Sequence, residues 1–526
     1  MTLMPSRGQL ARPAPEVIAE LFAREGVRRI YTVPGDMAYG LLRAFAAAGL
    51  DVFSVRSQAT AVFASAGDNY SEGRLASAVL ITRGPALANA LAALSSVVAH
   101  GVPMVLLSPC ESLTDMQSGA FQGSMHLALE AGSPCDVLRF EDPDSAGGRL
   151  ASLLADTAKP DRRSAVVLLE RRLLGSLMVA PDIQPPRLSR RPDLAALQTA
   201  AEMLNAAKNP IIVVGHRARW SASFETLATF ARRLNAPLCP TGLSIGFGGT
   251  RLPSLGQDEV HRELSGADAV LLVGASLDWT LRSGIAVPNE AKVISLREEG
   301  EPGFESRRGD IVLSGEIGQT LDALCGMFDT RAGLSPRPEG RGRLPAPPPP
   351  TLFARIADRL ADDFPTETAL VLDGSNGLIH AARRIIPDAD WARITPGISG
   401  HLGAGIGHAL GAAASGRYRR VILLTGDFSL GLALADLESL VRYDAPVTVL
   451  VNNNRGLASE SNQLAGADRR IADYTPATDH ARIMRGFGGV GHRIDSLDGW
   501  AAIRDRVVQG RGPCLVDISE HADTPE

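Results

Sequence analysis

Two short polar runs, each closing an apolar stretch, carry the residue types that would hold a divalent cation beside a phosphate. Residues 421–425 lead into Gly426-Asp427-Phe428-Ser429, and residues 446–451 lead into Asn452-Asn453-Asn454-Arg455-Gly456. Each stretch has the length of a buried strand, and open α/β sheets bind ligands at the carboxyl ends of their strands. Magnesium and calcium take hard oxygen donors, and need few from protein where phosphates supply the rest. Asp427, the side-chain oxygen of Asn454 and the carbonyl of Gly456 would form such a partial shell, which also suits manganese. A helix expected over 433–442 would turn its N-terminal amides toward an anion. Either run alone reads as an ordinary turn. Together, with Gly400, Gly403, Gly407 and Gly411 upstream, they point to a bound cofactor.

The pattern resembles the fingerprint of thiamine-diphosphate-dependent enzymes, in the acetolactate synthase and 2-oxo-acid decarboxylase superfamily. There Gly-Asp-Gly is followed, one helix and one strand later, by Asn-Asn; Phe428 here takes the place of the usual glycine or alanine. Gly400-His401-Leu402-Gly403 extends the likeness, which implies that Leu402 wedges under the cofactor and bends it. Asp373-Gly374-Ser375-Asn376 resembles the loop that clasps the diphosphate from the other side. Toward the N-terminus, Val33-Pro34-Gly35-Asp36 resembles the family's Gly-x-Pro-Gly turn. The segment from Thr82 through Gly84 to Asn89 resembles Thr-x-Gly-Pro-Gly-x-x-Asn, and Phe121-Gln122 resembles a Phe-Gln pair near the active site. With Leu272-Val273-Gly274-Ala275-Ser276-Leu277-Asp278 similar to the central domain, the likeness spans nearly the whole chain.

One position departs from the family where its chemistry starts. A glutamate, usually in Arg-His-Glu, bonds a pyrimidine ring nitrogen of the cofactor there and stabilises the imino tautomer that deprotonates the thiazolium carbon. This sequence reads Val55-Arg56-Ser57-Gln58-Ala59-Thr60-Ala61, so Gln58 stands in the glutamate's place. A glutamine amide can donate a hydrogen bond but cannot transfer a proton. A positioned general acid is worth about 10²–10⁴ in rate. Glu72, the next glutamate, lies about four helical turns further on and cannot substitute. The resemblance adds Asp36, Gln122, His126 and His401 as active-site candidates. Against these stand blander roles: a turn-ending aspartate, and surface or capping histidines.

These residues require a frame. Helical spacing over 16–25, 59–70 and 87–99 alternates with strand-like runs at 29–33, 51–55, 76–82 and 103–108. That alternation predicts an α/β fold of doubly wound parallel sheets, repeated over three domains. The expected limits are 14–178 for a pyrimidine-binding domain, 192–328 for a central domain and 352–521 for a diphosphate- and metal-binding domain. A Pro- and Gly-rich linker covers 329–351. Gly246, Gly248 and Gly249 do not open a helix directly after a strand, so the central domain shows no nucleotide signature and FAD is not expected.

Of the 526 residues 45% are hydrophobic and 21% charged, the usage of an ordinary globular protein. A net charge of −5 and a pI near 6.1 offer no basic field, which argues against a nucleic-acid partner. The five scattered cysteines include no Cys-x-x-Cys pair and suit a reducing cytoplasm. No apolar run approaches membrane-spanning length. The resemblance implies a cofactor shared between the first domain of one subunit and the third of another, hence a homodimer or homotetramer. It also implies a 2-oxo acid substrate, decarboxylation, and acyl transfer to a carbonyl acceptor, as in acetolactate synthase. Simple decarboxylation or carbon–carbon lysis is the alternative within enzymes. A cofactor-binding pseudoenzyme or regulatory subunit is the alternative outside them.

Overall fold

Short apolar runs separated by helices build three parallel sheets in the computed structural model. It describes residues 10–123, 126, 133–158, 164–181, 192–220, 222–251, 257–298, 310–327, 351–362, 364–374, 378, 381–395, 397–457, 463–464, 466, 468–475 and 478–519. The first sheet contains β1 (Arg29–Val33), β2 (Asp51–Ser54), β3 (Ser77–Ile81), β4 (Val105–Cys110), β5 (Asp136–Phe140) and β6 (Ala165–Glu170), in the order β2-β1-β3-β4-β6-β5. The second contains β7 (Pro210–Val214), β8 (Leu238–Pro240), β9 (Ala269–Val273), β10 (Lys292–Arg297) and β11 (Ile311–Ser314), in the order β8-β7-β9-β10-β11. The third contains β12 (Thr368–Asp373), β13 (Arg393–Ile394), β14 (Arg420–Gly426), β15 (Val447–Asn453), β16 (Val490–Ile494) and β17 (Cys514–Ser519), in the order β13-β12-β14-β15-β17-β16. The expected architecture of three doubly wound α/β units is the one observed.

The first and third sheets share one strand order. In each, the order reverses between the first and third strands of the sheet, which opens a crevice at their carboxyl ends. In the first sheet that switch point lies between β1 and β3; in the third it lies between β12 and β14. The motifs fall at these two places, and the central strands beneath them are buried except at Gly426, the last residue of β14.

Two helices join the outer units. Helix α1 (Gln58–Glu72) follows β2, and helix α2 (Gly405–Ala414) leads into β14. They cross at contact distance because glycines line the crossing: a Cβ on Gly411 would lie 1.8 Å from the Ala64 carbonyl oxygen, and one on Gly67 would lie 2.4 Å from that of His408. A single apolar core runs through this crossing and into the central unit.

One expected element differs. The helix placed over 433–442 is divided, and its helical stretch starts earlier: α3 (Asp427–Leu432) begins at the aspartate itself, with Gly426 as its N-cap. The chain breaks helical geometry at Ala433 (φ −126°) before a turn at Leu434–Asp436 and a further helix at Leu437–Arg442. Cys110, Cys239 and Cys514 are buried, Cys135 and Cys325 partly so, and all five are free thiols. Among the described residues no helix is long and apolar enough to cross a membrane. Residues 329–350 of the expected linker lie outside the described residues.

Candidate active site

At the switch point of the third sheet, β14 delivers Asp427 and the adjacent β15 delivers Asn454. Asp427 is buried, and its carboxylate accepts from the amides of Phe428 (2.8 Å) and Gly456 (2.8 Å). The amide of Asn454 has two readings. With its oxygen inward, that oxygen lies 3.2 Å from Asp427 Oδ1 and 2.8 Å from the Gly456 carbonyl; turned over, its nitrogen would donate to both. Neighbouring oxygens around magnesium at 2.0–2.1 Å stand about 2.9 Å apart, so the inward arrangement fits one face of such an ion. Burial pushes the Asp427 carboxyl up, against the opposing bonds from Gly456 and Phe428, and a cation there would hold it ionised. Among the described residues no three His, Cys, Asp or Glu side chains cluster as a metal site. A set with a single carboxylate suits a hard cation that takes its other ligands from a phosphate.

Strand alternation sorts the three asparagines. Asn453 points the other way from Asn454, into the core, where its Nδ2 donates to Asp517 (2.8 Å). Gly456 (φ +143°) is a position only glycine fills, since a Cβ would meet the Ala472 carbonyl at 2.2 Å. Phe428 lies in α3 with ordinary helical geometry, so its bulk is accommodated; its ring stacks on Tyr474 at 6.1 Å. Ser429 is buried in the same turn.

Across the crevice, Gly374 faces the Gly426 amide, while Ser375 and Asn376 lie outside the described residues. Asp373, just before them, is an anchor that the sequence reading missed. It is buried and accepts from the amides of Gly403 (3.2 Å) and Gly405 (2.7 Å), fixing the segment that carries His401 and Leu402. Burial pushes its carboxyl up to about 6, despite the opposing bonds from Gly405, Gly403 and Ser429. His401 and Leu402 are half-buried, and the His401 ring lies 4.9 Å from that of Phe63.

The first sheet gathers the remaining candidates at its own switch point. Pro34, Gly35 and Asp36 follow β1; Gly84 and Asn89 follow β3. Gly35 packs on Thr82, whose hydroxyl donates to the Asp36 carbonyl (2.6 Å). The exposed Asp36 carboxylate is ion-paired with the buried Arg83 (2.9 Å), which also bonds Glu111. Gln122 adopts a left-handed φ of 61° and packs against Gly84. Gln58 is the first residue of α1, and Asn89 Nδ2 donates to its Oε1 at 3.4 Å. His126 is buried, its amide bonded to the Gly123 carbonyl. The loop before Gln58 is pinned by the third unit. Asp436 accepts from the Arg56 amide (2.8 Å) and the Thr60 hydroxyl (2.6 Å), and Tyr443 Oη accepts from the Ser54 amide (2.6 Å). Sequence reasoning passed over Asp436 and Arg83, since their partners are far away along the chain.

The candidates thus form two groups on two sheet edges. Three family models match the chain: the N-terminal TPP binding domain of thiamine pyrophosphate enzymes over residues 13–129, the central domain over 197–324 and the C-terminal TPP binding domain over 377–518. The chain belongs to the thiamine pyrophosphate enzymes. Oxalyl-CoA decarboxylase of Escherichia coli K12 is 22% identical over 95% of this chain and 94% of its own length. The acetolactate synthase large subunit of Mycobacterium tuberculosis is 24% identical over 96% and 95%. The crystal structure of benzoylformate decarboxylase from Polynucleobacter necessarius superimposes with a TM-score of 0.79 at 18% identity, covering 98% of this chain and all of that one. In this thiamine pyrophosphate enzyme both edges also expose large apolar side chains, Tyr39 and Phe121 on the first unit and Leu432 and Ile471 on the third.

Proposed function

We propose that this enzyme cleaves a 2-oxo acid beside its carbonyl group and transfers the acyl unit to a carbonyl acceptor, with a divalent ion held by Asp427, Asn454 and Gly456. The observation that carries the reading is the Asn454 side-chain oxygen, 3.2 Å from Asp427 Oδ1 and 2.8 Å from the Gly456 carbonyl, at the end of two adjacent strands. Magnesium fits that spacing, and calcium or manganese would take the same donors. When bound, thiamine diphosphate supplies the nucleophilic carbon and the electron sink that decarboxylation needs.

The chain's own residues hold and orient. Gly374, Gly426, Phe428 and Ser429 line the diphosphate side, and Leu402 with His401 supports the middle. Pro34, Gly35, Gly84 and Asn89 line the pyrimidine side with Gln58. Because Asn89 donates to Gln58 Oε1, the amide nitrogen of Gln58 is left as the donor toward a ring nitrogen. It positions the ring without handing over a proton. Asp36, Gln122, His126 and His401 are assigned to the substrate side. Arg83 holds the Asp36 carboxylate in an ion pair at 2.9 Å, which orients it.

The two groups of residues lie on separate sheet edges with exposed apolar rims, and this supports completion of each site by a second copy. Light scattering should give at least twice the 55.5 kDa chain mass, and a monomer that turns over substrate would contradict it. Simple decarboxylation is the second reading, favoured by the likeness to oxalyl-CoA decarboxylase. The test is a panel of 2-oxo acids incubated with enzyme, thiamine diphosphate and magnesium, with and without an aldehyde or second 2-oxo acid. Carbon dioxide with a ligated product supports acyl transfer, and carbon dioxide with free aldehyde supports decarboxylation. A protein that binds the cofactor and releases neither is a regulatory subunit.

A further inference from the structure

The segment 397–403 presents His401 and Leu402, yet it has little rigidity of its own. Gly397 (φ 60°), Gly400 (φ 62°) and Gly403 (φ 85°) are all left-handed. Three glycines in seven residues raise the conformational entropy that ordering must overcome. Besides an internal bond from the His401 amide to the Ser399 hydroxyl (3.4 Å), it takes hydrogen bonds from all three units of the chain. Asp373 of the third unit holds the amides of Gly403 and Gly405. From the first unit, His100 Nε2 accepts from the Ser399 amide (3.3 Å) and Ser96 bonds the Ser399 hydroxyl (2.6 Å). From the central unit, the indole nitrogen of Trp279 donates to the Ile398 carbonyl (2.8 Å).

Two of these partners, Trp279 and His100, are held in place at local expense. Trp279 opens a short turn, Trp279–Gly284, in which Arg282 (φ 50°) and Ser283 (φ 52°) adopt left-handed conformations without being glycine. Each such residue costs about 1–3 kcal/mol and persists only where its surroundings over-determine it. Here Asp278 does so, through bonds to the Thr280 amide (2.8 Å) and from the Ser283 amide to its carbonyl (2.7 Å), and Arg282 pairs with Asp258. The turn buries Leu281 in the core of the central unit and leaves Trp279 half exposed, with its indole nitrogen directed to the Ile398 carbonyl. His100 is buried against Gly397, where a Cβ would lie 2.4 Å from its Nε2. Burial holds its pKa down to about 3, so the ring is neutral and Nε2 stays an acceptor.

We propose that Trp279 of the central unit and His100 of the first unit are positioning residues that clamp the Gly397–Ser399 turn, and through it set Leu402 against the cofactor. The central unit, which supplies none of the cofactor-site residues assigned above, thereby takes a direct part in the site. The proposal rests on the reading of Leu402 as the cofactor's support. Backbone hydrogen exchange over 397–405 is measured in the full-length, cofactor-free protein, and thiamine diphosphate affinity with magnesium is measured by calorimetry. Trp279→Phe keeps the ring and removes the donor; His100→Leu removes the acceptor; His100→Gln keeps an acceptor at the same reach. Loss of one such bond should speed exchange in this segment, and weaken cofactor binding, by about two- to twelve-fold. His100→Gln should stay within about two-fold of the native protein. A purely structural role would move overall stability without singling out this segment. Unchanged exchange and affinity in Trp279→Phe, or a change in one without the other, would overturn the proposal. If the native protein binds no thiamine diphosphate, the reading of Leu402 fails, whereas the exchange data still decide whether the clamp exists.

Discussion

Replacing Gln58 with glutamate restores a proton donor at the first residue of α1, and the structure bounds the gain. A positioned general acid contributes about 10²–10⁴ in rate. The new carboxyl would sit at the N-terminus of a 15-residue helix, whose field favours the ionised form by about 0.3–1 kcal/mol. That lowers its pKa by up to about 0.7 unit and trims the acid's share by up to about five-fold. The Asn89 amide, 3.4 Å from Oε1, acts in the same direction. From the helix field alone the expected acceleration is about twenty-fold at the low end of the general-acid range, and the Asn89 amide lowers it further. The assay is hydrogen–deuterium exchange at the thiazolium carbon of the bound cofactor, quenched in acid and read by proton NMR. Turnover need not rise equally, because a carboxylate also opposes an anionic substrate. Fast exchange in the native protein would show that another group performs the activation. Unchanged exchange in the variant would show that position 58 does not face the pyrimidine.

Two further outcomes follow from packing and burial. Gly411→Ala places a Cβ 1.8 Å from the Ala64 carbonyl, a backbone atom that cannot rotate away, so it should destabilise the α1–α2 crossing by about 1–3 kcal/mol or more. An unchanged urea midpoint would contradict that crossing. Asp373 has a folded pKa of about 6 against an ordinary 3.8, so the folded chain retains a proton that the unfolded chain gives up. Its contribution to stability is full below about pH 4 and falls as pH rises to about 6, by at most about 3 kcal/mol. Asp373→Asn should remove that slope from denaturant titrations between pH 4 and 7, and a retained slope would assign it to another group.

How much of this was legible in the sequence depends on the range of the interaction. The strands under Asp427 and Asn454 announce themselves as apolar runs, and strand alternation separates Asn453 from Asn454 once the strand is known. The start of α3 was misread because its N-cap is Gly426, with no side-chain cap bond to mark it. Phe428 departs from the family's usual glycine or alanine, and the helical geometry of α3 accommodates it. The anchors escaped for a different reason. Asp373 reaches across 30 residues to Gly403, Asp436 across 380 to Arg56 and Trp279 across 119 to Ile398. Periodicity and local propensity carry no signal for such pairs. Arg83 carries the same lesson: its guanidinium is buried between Asp36 and Glu111, which only the shared sheet edge brings together.

The claim on which the account depends is that Asp427, Asn454 and Gly456 hold the divalent ion that joins the diphosphate to the protein. Calorimetric titration of thiamine diphosphate into metal-stripped protein, with and without magnesium, compared between the native chain and Asp427→Ala, tests it most directly. Binding should require magnesium in the native protein and be lost in the variant, while the variant's circular dichroism spectrum shows that the fold is retained. Equal affinity in the variant, or binding by the native protein that is indifferent to the metal, would contradict it.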